Sequence, residues 1–447
     1  MSKVKGTFWV LLFALLGLAL YQIVLIFWEA PAQRENGVWY SVAQPDPDAN
    51  LLRPEEIFFT LGGEDGGYSR IAKQDESFED VFSSAYELLT YVLKNSELET
   101  DSFEALPWSR EVCIFNYGFA LQTDLILQQI GLEKKVAEGS WSEIWIVPAQ
   151  KRQEKTGIYI LDRDSDICLR AECSAWDQEQ NHFLMERLRN LESLLSKSYF
   201  AVKSAWPKAE LHGDYLLEEA MRETVSTIRA DAIFLVGKKI NPLQAERYAL
   251  RFFQYPDTVK VKESTEQILF TNEKITVKVD DTGLLQYVET LTEEEKKPIT
   301  MKEAYQLAVG FVKADLDWKG TTGLDFSLSG YEIIEGQYVF YFNYLVGGIP
   351  YRMDEERAEL WRMKYPIRVT VEGSRVRRYE RYALDFEVDM ANQHTLGHTW
   401  QNVMNDMAEQ GMKLKGVPVL KYYYERSQMV LYWEAETEQG LHRIRAY

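Results

Sequence analysis

The strongest metal-binding pattern in this 447-residue chain is a pair of histidines, His394 and His398. Their spacing is about one helical turn, which can place two imidazoles on one zinc ion. The Glu that follows the first His in zinc metalloproteases is missing, and Gly397 weakens a helix at this position. We therefore predict a solvent-exposed helix start here and no bound metal.

An acidic triplet, Asp162, Asp164 and Asp166, matches the opening of a calcium-binding loop. Such a loop needs Gly at its sixth position for the bend and Glu at its twelfth position to hold the ion with both oxygens. Ile167 and Cys173 occupy those two positions instead. The triplet is therefore predicted to be a polar turn between two strands.

Motifs for nucleophilic, nucleotide and redox chemistry are also missing from the sequence. It contains no Gly-x-Ser-x-Gly, no glycine-rich phosphate loop and no Cys-x-x-Cys. The three cysteines are Cys113, Cys168 and Cys173, and the last two lie at odd spacing in a predicted strand, hence on opposite faces. A local disulfide between them is not expected. We predict a protein that is not an enzyme and has no catalytic residues or cofactor.

One uncharged stretch, residues 6–28, indicates where the protein acts. As a helix it is about 35 Å long, enough to cross a bilayer core of about 30 Å. Lys3 and Lys5 precede it. Because basic residues stay on the cytoplasmic side, residues 1–5 are predicted to be a cytoplasmic tip and residues 29–447 to be extracytoplasmic. The alternatives are a cleaved signal peptide, to which the small residues at 30 and 32 point, and a buried core helix.

Within this predicted transmembrane helix, Gln22 is the one strongly polar side chain. Its amide would gain roughly 0.5–2 kcal/mol from a partner across a helix–helix contact. Ala14 and Gly17 are small enough for close approach of a second helix, and Tyr21 is adjacent to Gln22. We predict that these four residues bind a partner in the membrane. The alternative is a glutamine tolerated near the outer interface.

The net charge of the predicted extracytoplasmic part restricts which partners it can bind. Residues 29–447 hold 48 of the 50 Lys and Arg and all 69 Asp and Glu, a net charge of −21. An acidic surface argues against nucleic acid, anionic wall polymers or anionic lipid as partners, because those ligands need basic patches. The simpler interpretation is that the charge only keeps the domain soluble. A segment of this length predicts two or three domains.

Residues 29–52 are rich in Pro, Asn, Asp and Ala and are predicted to be a linker, and residues 53–205 to be an N-terminal α+β domain. The clearest helix covers residues 77–96, where apolar residues recur at helical spacing, and Ser77 with Asp80 forms a variant capping box. Further helices are predicted at 121–132 and 182–195. Strands are predicted at 53–60, 112–117, 144–147, 157–161 and 167–173.

A central domain, residues 206–355, follows. Helical patterns over residues 216–229 and 242–254 open it, and strands then dominate. Gly347 and Gly348 predict a tight hairpin turn, because glycine allows the positive φ that such turns need. Residues 356–447 are predicted to be the C-terminal domain.

The second half of the chain contains an internal repeat. Residues 275–287 align without a gap on residues 367–379, and both alternate apolar and polar residues around a polar turn. A helix near 300–312 matches one near 395–407, and a strand pair ending at 342 matches one ending at 433. The repeat predicts two tandem units, each a hairpin, a helix and an antiparallel strand pair, with the helix covering one face of a sheet.

Three groups of residues carry a likeness to a known family. They are Arg53-Pro54-Glu55-Glu56-Ile57, the run Phe340–Tyr344 before Gly348-Ile349-Pro350, and Ile367–Val371 with Val376–Arg381. Together with the single N-terminal span and the duplicated C-terminal units, they resemble the YycH-type regulatory proteins of low-GC Gram-positive bacteria, and the likeness covers nearly the whole chain. The duplicated units are also similar to PepSY-type domains and to the companion YycI-type proteins.

The resemblance implies a non-enzymatic regulator of the two-component sensor histidine kinase that controls cell-wall metabolism. It implies a single-pass protein of the cell membrane that contacts the kinase and a YycI-like companion through its transmembrane helix and ectodomain. Two other functions stay open from the residues: an anchored wall enzyme or processing factor, and a ligand-binding or inhibitory module of the Gram-positive cell surface.

Overall fold

Strands with a few helices covering them make up the described part of the chain. Its strand pairs are antiparallel as predicted, except that Ile349–Arg352 pairs in parallel with Val419–Glu425. The structure is a computed structural model that describes residues 44–447, except for 63–66, 74, 104–105, 133–138, 163–166, 203–215, 219–223, 238, 317–323 and 426–427. The predicted cytoplasmic tip, the predicted transmembrane helix and most of the predicted linker therefore lie outside the described residues. Within the described ranges, no helix combines the length and the apolar character needed to cross a bilayer.

The first half forms one sheet of nine strands in the order β3-β7-β6-β5-β4-β1-β2-β8-β9. All of its pairings are antiparallel. Its elements are β1 (Glu56–Leu61), β2 (Gly67–Ala72), α1 (Phe78–Asn95), β3 (Glu99–Asp101), β4 (Glu111–Gln122), α2 (Thr123–Gln129), β5 (Ser140–Val147), β6 (Thr156–Asp162), β7 (Ile167–Cys173), α3 (Glu179–Glu192), β8 (Tyr199–Ala201) and β9 (Leu216–Glu218).

Helices α1 and α3 cover one face of this sheet, which we call the inner face. The predicted apolar stripe of α1 is confirmed, and the helix packs on alternate strand residues, as in the 5.6 Å ring contact of Phe82 with Phe115. The predicted capping box is wrong. Ser77 has φ −79° and ψ −11°, already helical, whereas a capping side chain needs an extended backbone to reach the free amides, and it makes no such bond.

The opposite, outer face of the sheet carries its own apolar cluster, which includes Phe58, Ile114 and Trp145. The alternation of side chains along a strand separates the two clusters. It also separates Cys168, which belongs to the outer cluster, from Cys173, which packs against the inner one. The prediction of opposite faces is thus confirmed, and all three cysteines are free thiols.

The second half forms a larger sheet in the order β13-β14-β15-β16-β21-β20-β18-β19-β23-β24-β10-β22, with β17 beside β18 and β25 beside β24. Two 3₁₀ turns, Leu250–Phe252 and Pro256–Thr258, lie between α4 and β13. The elements are β10 (Thr224–Ala232), β11 (Leu235–Val236), β12 (Lys239–Ile240), α4 (Pro242–Ala249), β13 (Lys260–Glu263), β14 (Gln267–Thr271), β15 (Ile275–Asp280), β16 (Leu284–Glu289), α5 (Met301–Leu316), β17 (Leu324–Ile334), β18 (Gln337–Val346), β19 (Ile349–Arg352), α6 (Glu355–Trp361), β20 (Ile367–Glu372), β21 (Arg375–Tyr382), β22 (Leu384–Thr395), α7 (Trp400–Glu409), β23 (Val419–Glu425), β24 (Gln428–Thr437) and β25 (Gly440–Arg445).

The helix predicted over residues 216–229 is wrong, because strands β9 and β10 occupy most of this range. The pairing register between β10 and β22 shifts between Ser226 and Thr227, where the additional residues, 390–392, belong to β22. On either side of this shift Val225 and Ile228, three positions apart, are both buried. An irregularity in strand pairing is therefore accompanied by an apolar spacing that imitates a helix.

The hairpin, helix and strand pair predicted for each tandem unit are all present. They are β15, β16, α5, β17 and β18 in one range, and β20, β21, α7, β23 and β24 in the other. The predicted hairpin at Gly347 and Gly348 joins β18 to β19, with φ of 58° and 79°. Hydrogen-bonded strand pairs such as β16–β21 and β18–β20 cross the predicted boundary at residue 355.

Candidate functional site

A buried ion pair lies at the centre of the second half. Asp315, at the end of α5, and Arg381, on β21, are both almost fully buried, and the guanidinium Nη1 donates to carboxylate Oδ2. The Tyr379 hydroxyl donates to the same oxygen at 2.7 Å. The Tyr248 hydroxyl donates to Oδ1 at 2.5 Å, and Arg381 Nε donates to the Tyr344 hydroxyl at 2.7 Å. This buried network joins α4, α5, β18 and β21.

The electrostatics of the network keep both groups charged. Burial by itself would raise the pKa of the Asp315 carboxyl, but Arg381, Arg251 and the tyrosine hydroxyls outweigh it and lower the pKa. Burial would likewise lower the pKa of Arg381, but the surrounding phenols and Asp315 raise it instead. Because both groups are buried and bonded to each other, the network fixes α5 against β21.

A second feature of α5 is the chain segment that lies across it, residues 44–52, which we call the strap. The Asp46 backbone N–H donates to the Gln306 carbonyl at 2.9 Å, and Gln306 Nε2 donates to the Pro47 carbonyl at 3.1 Å. The Asp46 carboxylate also pairs with Lys313. A Cβ added to Gly310 would lie 2.1 Å from the Gln44 carbonyl oxygen. The strap backbone therefore lies directly on the helix, where only glycine leaves room.

The other end of the strap is fixed to the N-terminal sheet. Leu51 and Leu52 are buried, and the Tyr117 hydroxyl of β4 donates to the Leu52 carbonyl at 2.8 Å. Immediately after the strap, Arg53 pairs with Glu79 and lies over the Phe78 ring at 5.1 Å, both on α1. The last part of the predicted linker, which is the strap, thus packs against both α5 and the N-terminal sheet and connects them.

Of the residues singled out in the sequence, two of the described ones, His394 and Asp162, lie in different sheets. His394 is the second-last residue of β22; its Nε2 lies 3.0 Å from the Thr227 hydroxyl and its ring stacks on Tyr447. The predicted helix start at this residue is wrong, because α7 begins at Trp400 with Thr399 as its cap. Over the described ranges there is no cluster of three or more His, Cys, Asp or Glu side chains that could hold a metal.

The structure describes one residue of the acidic triplet, Asp162, and none of the four predicted membrane residues. Asp162 is the last residue of β6 and is buried, with its carboxylate accepting a bond from the Ser140 hydroxyl. The other two carboxylates of the triplet lie outside the described residues. Ala14, Gly17, Tyr21 and Gln22 lie outside them as well, so their partner-binding role stays a prediction.

The buried network was not predicted, although the sequence of α5 and of β21 carries a signal for it. Asp315 follows Val312 by three positions and so continues the apolar stripe of α5. Arg381 likewise alternates with Tyr379 on the buried face of β21. A charge of each sign on an apolar face is the pattern that predicts a buried pair, but it does not tell which two charges meet.

Comparison with known proteins gives one similarity. No protein-family profile and no curated protein matches the chain. Among solved structures it is similar to the crystal structure of YycH from Bacillus subtilis, with a TM-score of 0.47 and 13% sequence identity, over 89% of this chain and 98% of the other. A TM-score this low does not support an inference about function.

Proposed function

We propose that the chain is a non-enzymatic, membrane-anchored regulator of a two-component sensor histidine kinase that controls cell-wall metabolism. In this proposal, residues 6–28 span the membrane and contact the kinase, and the described domains lie outside the cell. A YycI-like companion of similar topology is the second partner. The support from sequence is the long uncharged stretch, the two lysines before it and the motifs that resemble the YycH type.

The observation that carries the proposal is the strap. The chain that follows the proposed span bonds to α5 at Asp46 before it enters the N-terminal sheet. Helix α5 in turn holds Asp315 of the buried network. A displacement that reaches the strap would therefore act on two halves of the ectodomain. A coupling of about 1–3 kcal/mol between partner states is enough for regulation.

The two predicted tandem units also belong to the proposal, as two copies of one PepSY-like unit. Tyr287 of β16 is the aligned counterpart of Tyr379 of β21, and these two residues face each other across the strands. The neighbouring pairs, Gln286 with Glu380 and Val288 with Arg378, exchange under the same alignment. A pairing of this kind has a local two-fold axis, which supports a duplication.

A pull-down from membranes of the host bacterium tests the regulator proposal. Full-length protein is compared with a variant in which an unrelated apolar helix replaces residues 6–28. We expect a sensor kinase to co-purify with the native helix and to be depleted at least about tenfold with the replacement, a difference of roughly 1.4 kcal/mol in binding. Retention of the kinase by both forms would rule out the transmembrane contact.

Single substitutions refine this test. Gln22→Leu removes the amide at nearly constant size and should reduce recovery of the kinase, because the helix loses an interhelical hydrogen bond. Leu20→Ile, on the opposite side of the same helix, is the matched control and should leave recovery unchanged. A secreted ectodomain that restores normal kinase output in a strain lacking the full-length protein would also contradict the membrane contact.

A further inference from the structure

A cleft of about 400 Å³ separates the outer face of the N-terminal sheet from the C-terminal part of the chain. Its volume is within the range of about 300–1,000 Å³ typical of sites for small ligands. The floor comes from β1, β2, β4 and β5, and the opposite wall comes from the β18–β19 turn, α7 and the strands β23 and β24. The cleft plays no part in the buried network or the strap.

The strand register arranges the side chains of the floor in two rows that run across the strands. In one row, Glu56, Asn116 and Glu143 lie side by side on β1, β4 and β5. Adjacent strands are about 4.8 Å apart, so the two glutamates flank the asparagine at a separation of about 10 Å. In the next row lie Phe58 and Ile114. The floor is thus a polar row with two carboxylates beside an apolar row.

The opposite wall is apolar and its aromatic rings are held in place. Trp400 donates its indole N–H to the Glu218 carbonyl at 3.1 Å, and Trp433 donates to the His398 carbonyl at 2.9 Å. Ile349 and Pro350 complete this wall. Since both indole nitrogens already bond to backbone, the rings present their apolar surfaces to the cleft.

The described residues of the cleft lining carry a net negative charge. They include the carboxylates of Glu56, Glu143 and Glu218 and one cation, Arg70, which pairs with Glu56 at 2.6 Å. Burial raises the pKa of the Tyr199 hydroxyl to about 12, so this lining residue is neutral. Glu143 accepts a bond from Trp145 Nε1 at 3.0 Å, which directs its carboxylate along the floor.

We infer that this cleft binds a peptide segment through a lysine or arginine side chain. Such a side chain has a long apolar stem and a terminal cation. The stem fits between Phe58 and the apolar wall, and the cation lies at the polar row near Glu143. The inference does not depend on the kinase proposal, because it concerns only residues of the described domains.

Calorimetric titration of the full-length protein in detergent tests the inference. The probes are acetylated and amidated tripeptides with alanine on each side of lysine, arginine, norleucine or glutamate. We expect the lysine and arginine peptides to bind and the other two to bind at least about tenfold more weakly. Because the attraction is electrostatic, binding should weaken as the salt concentration rises from about 50 to about 500 mM.

Substitution of one carboxylate locates the site. Glu143→Gln keeps an oxygen that can accept from Trp145 and should weaken the lysine peptide about three- to tenfold. Glu263→Gln, on the exposed strand β13, is the matched control and should leave binding unchanged. Thermal unfolding of both variants shows that the fold is intact.

Three results would overturn the inference. The first is equal binding of the norleucine and lysine peptides, which would make the cleft merely apolar. The second is binding of butylamine as tight as that of the lysine peptide, which would remove the need for a peptide. The third is the absence of binding for all four peptides.

Discussion

Asp315, near the end of α5, and Arg381, the second-last residue of β21 and 66 positions later in the chain, form an almost fully buried ion pair. Removing one member leaves the other charged and buried, which costs about 3–5 kcal/mol, whereas replacing both by apolar residues of similar size is often neutral. Loss of either member alone should therefore strongly destabilise the second half of the chain.

The first prediction follows from this asymmetry. Arg381→Met should lower the free energy of unfolding by about 3–5 kcal/mol, and adding Asp315→Leu should recover a large part of the loss. Denaturant unfolding of the three proteins measures both effects. Arg377→Met is the control, since its pair with Glu372 is at the surface and is worth at most about 1 kcal/mol. A double variant that is less stable than Arg381→Met would contradict the prediction.

The second prediction concerns the strap. Alanine for glycine inside a helix normally stabilises a protein by up to about 1 kcal/mol. At Gly310 the new Cβ would meet the Gln44 carbonyl at 2.1 Å, so Gly310→Ala should displace the strap and lower stability instead. Hydrogen exchange should then be faster at the amide of Asp46, which bonds to Gln306. A rise in stability with unchanged exchange at Asp46 would show that the strap does not press on the helix.

The third prediction compares two helix starts. Thr399 accepts from the Asn402 backbone N–H and is part of a complete capping box, whereas Ser77 makes no capping bond. Thr399→Ala should therefore cost about 1 kcal/mol, and Ser77→Ala should have little effect. The two alanine variants serve as controls for each other in the same unfolding measurement. Equal losses in both would contradict the geometry of the two caps.

The fourth prediction is a pH dependence. Bonds from Lys274 and Thr292 lower the pKa of the Glu295 carboxyl from 4.5 to about 2. A lowered pKa in the folded state adds stability above pH 4.5, and this stability is lost as the pH falls toward 2. The loss should stay below about 1 kcal/mol because the pair is near the surface.

Glu295→Gln provides the measurement for this pH dependence. The difference in unfolding free energy between the natural protein and the variant should shrink between about pH 5 and about pH 2.5. Glu294→Gln is the control, because Glu294 is exposed and its ion pair with Lys297 lies at the surface. A difference that stays constant over this pH range would contradict the lowered pKa.

Local periodicity was enough to predict the elements whose residues follow one regular pattern. The stripe of α1, the alternation of β7 and the hairpin at Gly347 and Gly348 appear where the sequence places them. In each case the signal depends only on near neighbours: the helical repeat, the strand alternation, or the positive φ that glycine allows.

Contacts between distant residues depended on the tertiary structure. The buried residues of β10 have a helix-like spacing across its register shift with β22, and only the pairing of the two strands shows that this segment is a strand. The meeting of Asp315 with Arg381, the seat of the strap on Gly310 and the cleft beside Glu143 each join segments that are far apart in the chain. By itself the sequence determined which residues are buried or charged along each element. Which of them meet is decided by strand order and packing, because these are properties of the whole chain.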